Sequence, residues 1–371
     1  DGLTAQALTQ ATGKGTLALG LQLKLPLAAL DKTQVNGTAT LTDSTLRLST
    51  DTPQLSQARA VVAFNQSGFA VSNAQARMLG GEVRFDGGTY KIPATAPGAT
   101  PETAVRFRGQ GQLSAQGLRL APELAWAQAL GAHAQGTANY SVTLGWRHGR
   151  PEISLSSTLQ GLSLDLPAPL QKTAEQALPL RFEQSLLSES LGKGRALQDQ
   201  MRLALGEMIR ADYVRDVSAK SPRVLRGALA VNLLPGENAA MPDSGVSANI
   251  RLDHVNLDEW SRLLQAPGPT GSAQAVEIQL EPSYLPTRWA LRASELTLAS
   301  QRWHDVVLGG SRDQLLWRSA VDARELGGYI EYRQPNTVSA ASGTGRLYAR
   351  LARLSLNPQQ SAQVEAALAQ Q

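Results

Sequence analysis

Few residues in this chain have the types and spacing that chemistry requires. Gly13, Gly15 and Ala18 fit a GxGxxA pattern. In a dinucleotide site that pattern follows a strand and opens a helix. Here a row of alternating leucines follows, so the stretch reads as a turn. The four histidines, His133, His148, His254 and His304, are dispersed and share no metal-ligand spacing. Asp253, Asp258 and Glu259 have the chemistry of acid–base carboxylates, but a helix cap and a solvated helix face account for them more simply. His304-Asp305 beside Trp303 makes no stronger case. The chain has no cysteine, which excludes disulfides, thiolate zinc sites and cysteine nucleophiles. Asn36, Asn65 and Asn139 lie in N-x-[ST] sequons, which occur by chance. Arginines and aromatics do not interleave along one face as a nucleic-acid platform requires. The expectation is therefore no enzyme, no catalytic residue, no metal, no cofactor and no nucleic-acid partner.

Composition points to strands. Of 371 residues, 42% are hydrophobic, enough for a core, but only 5% are aromatic. Gly (33) and Pro (19) are frequent, as many short strands joined by turns require. The net charge of +4 comes from scattered residues, which fits a solvated surface. No apolar stretch reaches the roughly 18 to 20 residues of a membrane helix. The chain starts in mid-pattern at Asp1 and ends on a polar run, Gln359 to Gln371. It reads as an internal segment whose anchoring elements lie outside it.

The elements that must position any site follow from periodicity. Leu17, Leu19, Leu21, Leu23, Leu25 and Leu27 form an unbroken odd-numbered row, with Ala18, Gly20, Gln22, Lys24 and Pro26 between them. Period two means a strand with one leucine face. Left in water, six leucines forgo on the order of ten kcal/mol, at roughly 1.5 to 3 each. Asn36-Gly37 and Asp86-Gly87-Gly88 read as turns. Ala60 to Phe64, Gly68 to Ser72 and Val105 to Ser114 read as strands, and Pro122 to Leu130 as a helix. Asn139 to Trp146 and Glu152 to Leu166 read as a long hairpin. Gln200 to Val217 reads as two strands turning at Gly206. Val246 to Leu252 alternates, then Leu257, Trp260, Leu263 and Leu264 recur at helical spacing behind Asn256 or Asp258 as cap. Further strands are expected at Val276 to Leu280 and from Trp289 to Leu351. The class is mainly β and mostly antiparallel, with about two short helices. A first β segment spans 1–170 and a second spans 171–358, with a polar tail at 359–371. The two segments also fit one continuous elongated domain.

Certain runs carry a family resemblance. Gly80-Gly81 through Val83, Phe85 and Asp86-Gly87-Gly88 resembles a segment of large AsmA-like proteins of the YhdP type. So do Gly161 to Lys172, Leu225-Arg226-Gly227, the run ending at Trp260, and the closing pattern of Trp317, Glu325 to Gly328 and Ala349-Arg350-Leu351. Order and spacing agree from about Ala7 to Pro358. The resemblance implies a Gram-negative envelope protein, held in the inner membrane by a helix outside this segment, with a long β-rich periplasmic part. It implies a curved sheet forming an elongated open groove, along which phospholipids pass between inner and outer membranes.

An alternating leucine row is more often ordinary core than a lipid track, and the pattern by itself does not separate the two. With the resemblance, phospholipid conduction leads. The candidate groove residues are Leu17, Leu19, Leu21, Leu23, Leu25, Leu27, Leu162, Leu164, Leu166, Leu229, Val231 and Ile250. The Trp260 helix and the 122–130 helix would plug or cap the sheet. The competing reading is a structural scaffold for outer-membrane assembly, with a dry core and a pairable edge.

Overall fold

The computed structural model describes residues 12–26, 34–47, 52–92, 102–121, 124–147, 149–192, 194–219, 221–234, 236–237, 239–265, 282–334 and 345–355. The chain builds one large sheet. Its first half comprises β1 (Thr12–Lys24), β2 (Gln34–Arg47), β3 (Leu55–Asn65), β4 (Gly68–Met78), β5 (Gly81–Ile92), β6 (Glu102–Ser114), β7 (Ala134–Arg147) and β8 (Arg150–Ser157). Each pairs antiparallel with the next. A three-residue strand, β9 (Leu162–Leu164), turns back on the start of β7. The sheet resumes with β10 (Leu180–Leu186), which pairs with β8, so the strands on either side of residue 170 are joined directly. β11 (Gln198–Leu205), β12 (Ile209–Asp216), β13 (Arg223–Val231), β14 (Gly245–Asn256), β15 (Arg288–Leu298), β16 (Gln301–Asp313), β17 (Leu316–Asp322), β18 (Leu326–Arg333) and β19 (Arg346–Leu354) complete it. Eighteen strands thus hydrogen-bond in series, and at about 4.8 Å per strand the path across them is about 80 Å. The sheet is open: β1 and β19 are its two edges.

Several expectations are corrected. Asn36-Gly37 and Asp86-Gly87 are not turns but lie inside β2 and β5, where glycine makes room for a ring on the neighbouring strand. Gly13 to Ala18 is likewise no turn but part of β1. Leu162 to Leu166 does not extend β8, because the chain leaves the hairpin at Ser157. The sheet is antiparallel except at β13–β14 and β14–β15, which are parallel. Parallel neighbours need a return connection, and 232–244 and 257–287 supply them. The strand expected at Val276 to Leu280 and the tail at 359–371 lie outside the described residues.

Among the described residues there are three α-helices: α1 (Ala115–Arg119), α2 (Ala125–Ala132) and α3 (Leu257–Gln265). The Ser114 hydroxyl accepts from Gly117 N at 3.0 Å and caps α1, a helix the periodicity did not signal because it is only five residues long. Asn256 caps α3, its side-chain oxygen accepting from the N–H groups of Asp258 (3.1 Å) and Glu259 (3.2 Å). Asp258 instead receives the N–H groups of Ala299 and Ser300, both at positive φ in the β15–β16 turn. That holds the helix against the sheet.

The ladders carry bulges on four successive strands, near Gly15, Asp43, Gln57 and Asn73. Bulges bend and twist the strand that carries them. A cluster of Ala58, Ala76, Val83 and Tyr140, with Leu46, Phe85 and Val142 packed on it, draws members from β2 to β7. It lies on one face, and among the described residues no second sheet covers it. The side chains of neighbouring strands therefore bury one another.

Candidate functional site

The register assigns every strand a face, because directly opposed residues point the same way. Leu19 stands opposite Ala39, which stands opposite Val62, and the row continues through Val71, Gly87, Phe107, Leu144 and Ile153. It goes on through Gln184, Met201, Tyr213, Gly227 and Val246. One pleat along, Leu229 continues through Ala248, Trp289, Gly310, Ser319, Ile330 and Ala349. The opposite face reads Arg84, Gln110, Ser141, Ser156, Arg181, Ala204, Arg210, Ala230 and Asn249 along one row. One face is thus nearly all apolar from edge to edge, and the other is small, polar or basic.

Leu17, Leu19, Leu21 and Leu23 lie on the apolar face, 50 to 61% exposed, and Leu25 just beyond β1 is as open. Leu27 lies outside the described residues. Leu229, Val231 and Ile250 share that face, half-buried. Leu162 and Leu164 lie on the short β9, outside the main ladder, and their cluster packs on Leu113, Leu180 and Leu205 of the same apolar face. They are buried with Ala115, Ala134, Ala138 and Leu159, and Leu166 packs on the same cluster. This cluster, α1, α2 and α3 line one end of the strands. Trp260 packs with Leu252, Val255, Ala293 and Leu296, and its indole N–H donates to Ala168 O at 3.1 Å, tying α3 to the segment after β9. Lys172 Nζ reaches Leu162 O at 2.6 Å and Thr173 O at 2.9 Å, and burial holds this amine below the usual lysine value.

Three features escaped the sequence. First, aromatic rings lie across glycines on the neighbouring strand: Phe64 over Gly37, Phe107 over Gly87, Tyr140 over Gly111, Tyr213 over Gly227 and Trp289 over Gly310. Each ring lies low on the floor, so the face has little relief. Second, the Arg215–Asp199 ion pair is buried on this face, with contacts of 2.5 and 2.9 Å. Arg215 also donates to Tyr284 Oη at 3.0 Å and Gln184 donates to Asp199 at 3.0 Å. Burial opposes the charge on Arg215, yet bonding to Asp199 and Tyr284 outweighs it and the pKa is raised. Third, a strap of chain, Pro282 to Thr287, crosses the face. Tyr284 stacks edge-on against Tyr213 at 5.2 Å, and Tyr213 Oη donates to Tyr284 O. Burial pushes Tyr213 up to about 12. No sequence signal pairs these residues, which lie about seventy positions apart.

Open hollows elsewhere include one on the polar side. One of about 1210 Å³ is bordered by Arg84, Arg181, Arg210, Ser141, Ser156 and Asn139, without a nucleophile–base pair. Among the described residues no group of His, Asp and Glu is placed to hold a metal ion. His304 bonds Glu325 through Nδ1 at 2.6 Å as part of a loop clamp. The arrangement offers apolar surface rather than reactive groups.

The YhdP protein family matches the chain over residues 1–371. The chain belongs to that family. No curated protein and no solved structure matches it. For this YhdP-family chain the edge-to-edge apolar face is the candidate site. Among its described residues no helix is long and apolar enough to cross a membrane.

Proposed function

We propose that the apolar face conducts the acyl chains of phospholipids, as one stretch of a longer track between the inner and outer membranes of a Gram-negative envelope. The observation that carries this is a face nearly all apolar across eighteen strands, with the β1 leucines 50 to 61% exposed on it. Membership of the YhdP family supports a lipid-transport-related role in the envelope. A soluble monomer rarely leaves so large a contiguous apolar surface in water. Acyl chains cover it without directional bonds, each buried CH₂ contributing about 0.8 kcal/mol. No reacting group is needed, and the reading is non-enzymatic. The anchor to the inner membrane lies outside this segment, in a periplasmic setting.

The test is lipid extraction and mass spectrometry on the chain purified from a bacterial periplasm. Leu21→Asp is compared with Gln22→Asp on the other face. Both sites are on an exposed strand, so both variants are expected to fold. Phospholipid that copurifies and falls severalfold only in Leu21→Asp supports conduction. A folded chain with no lipid above background leaves the face to a scaffold that docks other envelope strands.

A further inference from the structure

We propose that the strap Pro282 to Thr287 roofs a phosphate-binding station on the apolar face, where Trp289, Trp317 and Ser283 hold a phospholipid headgroup while its chains lie on the floor. This rests on the reading of the face as a lipid track.

Three polar groups on the residues around Arg312 are left without partners. Trp289 Nε1, Trp317 Nε1 and Ser283 Oγ are shielded from solvent and have no hydrogen-bond partner. They gather around Arg312. Trp289 stands opposite Gly310 and lies over it, two residues from Arg312 on the same face of β16. Trp317 stands opposite Arg312, whose guanidinium lies 5.6 Å from the Trp317 ring centre. Ser283 follows Pro282, whose carbonyl accepts from Arg312 Nη2 at 2.6 Å. Buried donors are ordinarily satisfied, so three orphans on residues flanking Arg312 mark a place that an acceptor completes.

The nature of the acceptor follows from the surroundings. Two indole N–H groups and a hydroxyl are donors to oxygen, and the nearby guanidinium makes the site cationic. Arg312 is itself committed to the strap, donating also to Leu285 O and Pro286 O, so it holds the roof and supplies charge rather than contact. A phosphate monoanion matches both donors and charge. Because the donors are shielded while the strap is down, the strap must lift for a headgroup to enter. The bonds that must open are those of Tyr284 to Arg215 and Tyr213, of Thr287 to Val246 and Arg312, and of Arg312 to Pro282, Leu285 and Pro286.

Indole N–H resonances of the full chain, followed while dihexanoyl phosphatidylglycerol is added, test the proposal. Parallel titrations use inorganic phosphate and a short-chain diacylglycerol. The Trp289 and Trp317 signals are expected to move with the phospholipid and to stay with the diacylglycerol. Replacing both with phenylalanine keeps the rings and removes the donors, and is expected to weaken phospholipid binding about tenfold or more while the melting temperature holds. Shifts of equal size with inorganic phosphate overturn the lipid assignment. If lipid perturbs β1 resonances but neither indole, this station is wrong and the track stands. If lipid perturbs nothing, the track reading falls as well.

Discussion

At the scale of residues, the glycines opposite aromatic rings and the buried ion pair define how this face is made. A Cβ on Gly37 would lie 2.2 Å from the tip of the Phe64 ring, so Gly37→Val must lift the ring or the strand. It is expected to cost about 1 to 3 kcal/mol by denaturant unfolding. Gly20→Val is the control: its Cβ meets only Thr38 O, at 3.8 Å, and the change is expected to be neutral or favourable. Arg215 and Asp199 are both nearly fully buried. Arg215→Met leaves Asp199 as an uncompensated charge and is expected to cost about 3 to 5 kcal/mol. The double change Asp199→Leu with Arg215→Met is expected to recover most of that. Equal losses in single and double variants would show that the pair contributes no more than packing. The pair's place on the floor was illegible in the sequence, because Asp199 and Arg215 meet only through the β11–β12 register.

At the scale of elements, the connections that cap the strand ends are held by a few polar side chains. Glu325 joins the β17–β18 turn to β16 by accepting from His304 N at 2.9 Å and pairing with the ring. Burial works against its charge, and the bonds from His304 outweigh it, so its pKa lies below the ordinary 4.5. A depressed carboxylate stabilises the fold fully above its unfolded value and loses that contribution as pH falls through the folded one. Thermal melts from about pH 7 to about pH 3 are expected to fall less steeply for Glu325→Gln than for the parent. Parallel slopes would remove Glu325 from the account. Likewise Trp260→Phe, which deletes only the bond to Ala168 O, is expected to speed hydrogen exchange in α3 while β14 and β15 keep their protection. The β14-to-α3 unit was legible, since the period changes from two to three and a half at Asn256. Helix α1 was not, because one turn held by Ser114 and by packing leaves no periodic trace.

At the scale of the molecule, the described strands form one open sheet. A compact monomer of 39.5 kDa would expose roughly 14,000 Å². An open single sheet, whose edges meet solvent, is expected to expose more than that. Its radius of gyration by small-angle scattering is expected to lie well above the roughly 21 Å of a compact domain of this length. A value near that figure would mean the sheet closes on itself in solution and the apolar face is dry core. An elongated value with bound lipid favours the track, and one without lipid favours the scaffold.

The sequence by itself determined the class and the polarity of each strand. Period two in Leu17 to Leu25 and in Val246 to Leu252 requires one apolar and one polar face whatever the partner, because alternate side chains must point apart. The family resemblance was legible in the same way, through glycines and packing residues in fixed order. Only the tertiary structure decided which faces join. It placed Leu229 and Ile250 on one surface with Leu19, buried Leu162 and Leu164 in a cluster at the strand ends, and laid Tyr284 over Tyr213. Those outcomes depend on register, where a shift of one residue inverts a strand, and on contacts between residues far apart in the chain. Neither is written in local periodicity.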